Sequence, residues 1–265
     1  MNWRFLLRGT AVALGALALG LAALYLSLPR LVLSVPYGPT PQPPTIQAPQ
    51  GPLPEAWVGM EARALHRGQS PALAGSAFLF SLGDGLVVAA TAAHMFALDT
   101  GLEAIALSLP GEPVPLLELY TLRGEPGRPR LLEANLTGDY LLLQVEAAVP
   151  LELVLTPDDR GEPQPGERVA IFAGVGESAA DRTPLEGTIL KINRDGAWAV
   201  MDDAFEPGLM SGSPIVSLHT GDVVGMALVA GEREGHTVIG MHPIGSLVEK
   251  ASEATVLIPL AGYGD

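Results

Sequence analysis

The chain has 265 residues, no cysteine and a formal net charge of −14 at pH 7. Without cysteine there can be no disulfide framework, no thiolate metal site and no cysteine nucleophile. A surface with this excess of negative charge repels nucleic acid, so the composition argues against nucleic-acid binding. Hydrophobic residues make up 48% of the chain, and a large part of them is concentrated near the N-terminus.

Residues 9–28 read GTAVALGALALGLAALYLSL and contain neither a charge nor a proline. At about 1.5 Å per residue, a helix of this length crosses a bilayer core of about 30 Å. Arg4 and Arg8 precede the run, and only Arg30 follows it closely. This bias predicts a cytoplasmic N-terminus (residues 1–8) and an extracytoplasmic remainder, in the periplasm or at the cell surface. We expect an uncleaved signal anchor; the alternative is a cleaved signal peptide, although no small-residue cleavage site ends the run.

Residues 29–54 are predicted to be an extended, proline-rich linker, because proline fixes φ and removes a backbone donor. Residues 55–265 then form one exported domain, whose length suits a single barrel-type β-domain or a modest α/β domain. All 29 acidic residues lie in this domain, which we interpret as a feature that favours solubility.

Short apolar runs bounded by turn residues predict that the domain is mostly β-structure. Nine such runs are found, at residues 76–82, 85–93, 139–146, 168–175, 187–192, 196–201, 213–218, 222–230 and 236–241. Their number and spacing are typical of sandwiches and barrels. Helix signals are weaker: residues 243–254 predict a helix near the chain end, and residues 53–68 are a second candidate.

Three segments carry residues that suit nucleophilic catalysis. His94 ends the sequence TAAH after an apolar run, Asp139 opens the apolar run YLLLQV, and Ser211 lies in the loop GLMSGSP. A serine nucleophile needs an imidazole to take its proton, and the imidazole needs a carboxylate that fixes its tautomer. Taken singly, each residue also has an ordinary explanation as a strand-end or turn residue. Together they predict a catalytic triad; Asp99 is an alternative carboxylate, but no apolar run follows it.

The order His94, Asp139, Ser211 and the segments around these residues resemble the trypsin-like (chymotrypsin-fold) serine proteases. The resemblance is closer to their bacterial disulfide-free branch, with the HtrA and glutamyl-endopeptidase types. TAAH matches the sequence around the family's histidine, with Met95 in place of the usual cysteine, and DAFEPGLMSGSP resembles the serine segment of the HtrA type. The resemblance covers roughly residues 75–254.

This resemblance implies an all-β fold of two six-stranded antiparallel β-barrels with a C-terminal helix, behind the N-terminal transmembrane helix. It also implies hydrolysis of peptide bonds through an acyl-enzyme, with His94 as base, Asp139 as orienting carboxylate and Ser211 as nucleophile. The substrate would be a protein or a peptide, and neither a metal nor a cofactor would take part. The expected function is therefore that of an exported, membrane-tethered serine endopeptidase.

The loop before Ser211 departs from the family pattern. The family has a glycine two residues before the nucleophile, and its N–H forms one half of the oxyanion hole; this position is Leu209 here, and the glycine is Gly208. The resemblance implies a hole made by the N–H of Ser211 together with that of Leu209 or Gly208. Because glycine tolerates backbone conformations that leucine does not, a hole that forms only with substrate, or none, is the alternative.

Two rival interpretations stay open from the sequence. In the first, the protease fold has lost turnover and serves as a membrane-tethered binding module. In the second, the chain is an unrelated exported β-domain in which the three matches coincide by chance.

The resemblance also implies which residues form the primary substrate pocket. They are Phe205, six residues before the nucleophile, and the strand residues Leu228, Val229 and Ala230. All four are apolar, so we expect the pocket to take a small or medium apolar side chain. An acidic side chain is not expected, because no basic residue is evident there.

Overall fold

The computed structural model describes residues 51–83, 85–96, 101–120, 131–175, 182–193, 196–205, 208–233 and 235–256. The predicted membrane segment, residues 9–28, and residues 29–50 of the predicted linker lie outside this part of the chain. Within the described ranges, no helix combines the length and the apolar character that crossing a membrane requires.

The first half of the domain is a sheet of eight strands. These are β1 (Met60–His66), β2 (Ala72–Ser81), β3 (Val87–Thr91), β4 (Leu102–Ser108), β5 (Leu117–Tyr120), β6 (Leu131–Asn135), β7 (Tyr140–Val145) and β8 (Val154–Leu155). Seven of them pair in the order β5-β4-β1-β2-β3-β7-β6, and β8 runs parallel to the end of β2. The prediction of a closed six-stranded barrel is wrong for this half, because the edge strands β5 and β6 do not pair within the described residues. The connection between these strands, residues 121–130, lies outside the described part.

The second half is a closed barrel of six antiparallel strands, as predicted. Its strands are β9 (Arg168–Ile171), β10 (Leu185–Asn193), β11 (Gly196–Met201), β12 (Pro214–Ser217), β13 (Val223–Arg233) and β14 (His236–Pro243). They pair in the order β10-β11-β14-β13-β12-β9. The predicted C-terminal helix is confirmed as α1 (Ile244–Val256), which follows β14 directly and packs against β6, β13 and β14.

An apolar cluster joins the sheet, the barrel and the helix. It contains Phe78 and Phe80 from β2, Val216 from β12, Met226 from β13 and Leu247 from α1, all fully buried. Burial of large apolar side chains between two surfaces holds the surfaces in one relative position, since protein interiors are close-packed. Loops that project from the two halves beside this cluster therefore have a fixed relative position.

The N-terminal segment of the described chain crosses the barrel before it enters the sheet. The N–H of Gly51 donates to the carbonyl of His219 at 2.9 Å, and the indole N–H of Trp57 donates to the carbonyl of Ala173 at 3.1 Å. The Trp57 ring packs edge-on against Phe172, with ring centroids 5.3 Å apart. Residues 51–54, the end of the predicted linker, thus follow the barrel surface.

The helix candidate at residues 53–68 is wrong, because its second half is strand β1. This strand is central in the sheet and pairs with both β2 and β4. Ala62 and Ala64 are buried between neighbouring elements, where small side chains fit. Helix propensity is a weak preference that tertiary pairing overrides.

Candidate active site

His94 and Asp139 meet at one edge of the first sheet. Strands β3 and β7 are antiparallel neighbours, with Thr91 opposite Leu141, so the residues after β3 lie beside those before β7. His94 lies in a 3₁₀ turn, Ala93–Met95, that follows β3. Asp139 immediately precedes β7.

The Asp139 carboxylate binds His94 with both oxygens. Its Oδ2 lies 2.6 Å from Nδ1 of the imidazole, and its Oδ1 accepts the backbone N–H of His94 at 2.8 Å. Two bonds to one residue fix the orientation of the carboxylate relative to the ring. With the proton of the neutral ring on Nδ1, the other nitrogen, Nε2, is left as a proton acceptor. This is the arrangement that a general base requires.

The pair is only partly shielded from solvent, with 43% of the His94 side chain and 22% of the Asp139 side chain exposed. The hydrogen bond with Asp139 raises the pKa of His94 above its ordinary value; partial burial opposes this shift, and the negative charge of Asp139 adds to it. Asp139 therefore stabilises the imidazolium form and makes the neutral ring a stronger base.

A second histidine packs behind this pair. The ring of His242, on β14, lies edge-on to Tyr140, with centroids 5.3 Å apart. Burial lowers the pKa of His242, although a hydrogen bond with the backbone of Gly138 and the charge of Asp139 act in the opposite direction. The shift favours a neutral His242 beside Gly138 and Tyr140, the residues that flank Asp139.

The loop that carries Ser211 is hydrogen-bonded to strand β2. The backbone N–H of Ser76 donates to the carbonyl of Ser211 at 3.0 Å, and the Ser76 hydroxyl donates to the carbonyl of Leu209, also at 3.0 Å. Strand β2 is the neighbour of β3, with Ala77 opposite Thr91. The loop therefore lies next to the strand that leads to His94.

Gly75 brings the two segments still closer. A Cβ atom at this position would lie 3.0 Å from the end of the Met95 side chain and 3.1 Å from the carbonyl oxygen of Ser211. Met95 and Ser211 therefore both pack against the backbone of Gly75, where no side chain separates them.

The residue after Ser211 has to be glycine. Gly212 has a φ of 93°, and a Cβ there would lie 1.8 Å from the carbonyl oxygen of Ser76. This close approach lets the N–H of Gly212 donate to the carbonyl of Ala227 at 2.7 Å. The loop is thus held between β2 and β13.

Leu209 adopts the backbone conformation that is characteristic of glycine. Its φ is 62°, in the left-handed region, which L-residues other than glycine, asparagine and aspartate rarely enter. Among the described residues, no acceptor binds the backbone N–H of Leu209 or that of Ser211. At Gly208, by contrast, a Cβ would meet no described atom within 4 Å, so no contact in the structure requires glycine there.

The Ser211 hydroxyl is not hydrogen-bonded to His94. It donates instead to the backbone carbonyl of Leu228, at 2.7 Å. A rotation about the Cα–Cβ bond of Ser211 exchanges one staggered position of Oγ for another, and bonds between catalytic groups are often long or misaligned without substrate.

A cavity of about 20 Å³ lies beside Ser211, lined by Met210, Ala227, Leu228, Val229, Ala230 and Ile239. Three of the four residues that the resemblance implied for the pocket are thus found together. Phe205 is not among them: it lines a separate depression of about 280 Å³ with Glu186, Asp202 and Asp203.

Two residues of the site were missed from the sequence. Ile239, on β14, lines the cavity and pairs with Ala230 of β13; only the strand register reveals this. Ser76 contacts the loop that carries Ser211, and the one sequence signal for it is a serine within the apolar run of β2. The alternative carboxylate, Asp99, lies outside the described residues.

Comparison with known families agrees with this architecture. The family model described as trypsin-like peptidase domain matches residues 75–226, more than half of the chain, and the matched segment includes His94, Asp139 and Ser211. A comparison with curated proteins yields no significant match. The interpretation as an unrelated β-domain is therefore wrong. The chain belongs to the family of trypsin-like peptidase domains.

Proposed function

We propose that this protein is a serine endopeptidase that cleaves peptide bonds through an acyl-enzyme on Ser211. The observation that carries the proposal is the pairing of His94 with Asp139, in which one carboxylate binds both Nδ1 and the backbone N–H of the same histidine. A structural histidine at a strand end does not need this double contact, whereas a general base does, because its tautomer and orientation must both be fixed.

In the proposed mechanism, the Ser211 hydroxyl rotates from the Leu228 carbonyl towards His94 when substrate binds. Nε2 of His94 takes the hydroxyl proton while Oγ attacks the carbonyl carbon of the scissile bond. The N–H groups of Leu209 and Ser211 bind the oxyanion of the tetrahedral intermediate; one such donor typically contributes about 2.7–4 kcal/mol to transition-state stabilisation. His94 then protonates the leaving amine, and water hydrolyses the acyl-enzyme by the same steps.

A serine-directed fluorophosphonate tests this proposal on the full-length protein in detergent. We expect an adduct on Ser211, mapped by mass spectrometry, and a labelling rate lower by at least about 10³-fold in His94→Ala, since the base and the nucleophile act as a unit. Ser213→Ala is the matched control, because this neighbouring serine is buried and its hydroxyl has no hydrogen-bond partner among the described residues. The Ser213→Ala variant should be labelled like the wild type.

A folded wild-type protein that gives no adduct would contradict the proposal and favour a second function. That function is a protease-fold binding module without turnover. The hydrogen bond from Ser211 to Leu228 and the leucine at position 209 favour it, because both features depart from a site that is ready for attack.

We also propose that the domain lies outside the cytoplasm, held by an anchor at residues 9–28. The support is the uncharged apolar run and the two arginines before it, which together favour a cytoplasmic N-terminus. A fluorophosphonate that does not cross membranes should therefore label the protein in intact spheroplasts. Labelling that requires lysis would contradict this location.

The cavity beside Ser211 suggests the substrate class. A volume of about 20 Å³ is close to what a single water needs, so only a small side chain would enter without rearrangement. The side chains of Val229, Ala230 and Ile239 make the lining apolar. We therefore propose that the peptidase prefers alanine, or a residue of similar size, before the scissile bond.

Replacing Ile239 by alanine should widen this preference. The change removes the side chain opposite Ala230, so we expect the ratio of kcat/KM for leucine over alanine substrates to rise at least about 10-fold, in the range that one or two methylene groups contribute in a pocket. Ile215→Ala is the control: Ile215 is equally buried in the barrel core but does not line the cavity. An unchanged ratio in Ile239→Ala would show that Ile239 does not limit the size of the side chain that the pocket accepts.

A further inference from the structure

Ser76 takes part in four hydrogen bonds with residues outside its own strand. It is fully buried on β2. Its hydroxyl accepts the backbone N–H of Gly174 at 3.0 Å and donates to the carbonyl of Leu209 at 3.0 Å. Its backbone N–H donates to the carbonyl of Ser211 at 3.0 Å, and its own carbonyl accepts a hydrogen bond from the Thr91 hydroxyl at 2.7 Å. One residue therefore connects the strand before the histidine, the barrel and the nucleophile loop.

The contact with Leu209 matters because of the conformation of that leucine. A left-handed φ is unfavourable for a residue with a Cβ, so the surrounding structure has to hold it. Leu209 is 38% exposed, so packing covers it only in part. Within the described residues, Leu209 has one hydrogen bond, the bond from the Ser76 hydroxyl to its carbonyl.

We propose that Ser76 is a positioning residue of the peptidase site. Its hydroxyl holds the carbonyl of Leu209 against β2, which keeps φ of Leu209 positive and leaves the N–H of Leu209 available beside the N–H of Ser211. Without the hydroxyl, Leu209 relaxes towards negative φ, and the rotation carries its N–H away from the oxyanion position. This inference rests on the proposed peptidase function. It assigns to the Ser76 hydroxyl the role of keeping the oxyanion donors in place in a loop that has leucine instead of glycine at position 209.

The kinetic test compares Ser76→Ala with the wild type in the full-length protein. Loss of one oxyanion donor typically costs about 10²–10³ in kcat; since a part of the molecules would retain the conformation, we expect kcat to fall about 10- to 100-fold. KM should change less than threefold, because the donor acts only in the transition state. Ser108→Ala, another buried serine of the same sheet, should stay within about twofold of the wild type.

A second substitution separates positioning from a general structural role. Glycine enters the left-handed region without a steric penalty, so Leu209→Gly should no longer need the hydroxyl. We expect the double variant Ser76→Ala/Leu209→Gly to react within about threefold of Leu209→Gly alone. If Ser76→Ala does not fold but the double variant folds and reacts, the inference is equally supported. A double variant as slow as Ser76→Ala, or unfolded, overturns it.

A readout that does not depend on turnover distinguishes this inference from the proposed function. Crystal structures of the wild type and of Ser76→Ala should show Leu209 with positive φ in the first and negative φ in the second. A Leu209 that keeps its positive φ without the hydroxyl overturns the positioning role, even if the enzyme is active. If neither protein reacts with the fluorophosphonate, the peptidase function fails, whereas the two structures still decide whether Ser76 controls Leu209.

Discussion

Replacement of Asp139 by asparagine should lower kcat of the proposed peptidase reaction by about 10⁴-fold and leave the fold intact. The asparagine Oδ1 can still accept the backbone N–H of His94, so the turn before β7 keeps its bond. The amide NH₂, however, donates to Nδ1 and drives the ring proton to Nε2. An Nε2 that already carries a proton cannot accept the one from Ser211.

The measurement is kcat for a peptide with alanine before the scissile bond, together with the melting temperature. Asp203→Asn is the control, since this carboxylate is exposed on the barrel and lines the depression away from Ser211. The control should keep kcat within about twofold. A kcat for Asp139→Asn within tenfold of the wild type would exclude Asp139 from the mechanism.

Replacement of Gly212 by alanine should lower the free energy of unfolding by about 2–5 kcal/mol. This is the sum of two costs: that of a positive φ in a residue with a Cβ, and that of an overpacked contact. The new Cβ would lie 1.8 Å from the carbonyl oxygen of Ser76 and 2.9 Å from the Thr91 hydroxyl. The first atom belongs to the backbone of β2 and the second to a buried side chain of β3. The loop has to leave β2, so labelling of Ser211 should be lost even where the protein remains folded.

Gly68 offers a matched control for the conformational part of this effect. It also has a positive φ, of 71°, but a Cβ there would meet nothing within 4 Å. Gly68→Ala should therefore cost only about 1–2 kcal/mol, measured as the free energy of unfolding in urea. Equal losses for the two variants would mean that the contact with Ser76 contributes nothing.

Strand prediction from the sequence succeeded where the strands are rich in β-branched and aromatic residues. All nine predicted runs coincide with strands, among them β3, β13 and β14. The strands that were missed, β1, β4, β5, β6 and β8, consist mainly of leucine, alanine and glutamate, residues that favour a helix as much as a strand. Only the pairing with distant neighbours makes them strands, and that pairing is absent from any local window.

The site shows the same division. His94, Asp139 and Ser211 could be predicted because each stands in a local sequence context and their order is informative. Ile239 and Ser76 could not, since their roles depend on which residues of distant strands face each other. The conformation of Leu209 was expected to be difficult for leucine; the structure shows that this residue adopts it, in contact with a hydroxyl 133 positions away in the chain.

The bond between Ser76 and Leu209 also bears on how such a loop can change during evolution. With glycine at position 209, the bond from residue 76 to the carbonyl of residue 209 is no longer needed to hold the loop, because glycine enters the left-handed region without a steric penalty. With leucine there, our proposal makes the serine hydroxyl important for kcat, which falls about 10- to 100-fold without it. A chain that acquires serine at position 76 before leucine at position 209 would keep its activity at each step, whereas a chain that acquires leucine first would pass through a less active form. The substitution at one position thus depends on the history of the other, and the order of the two mutations is not interchangeable.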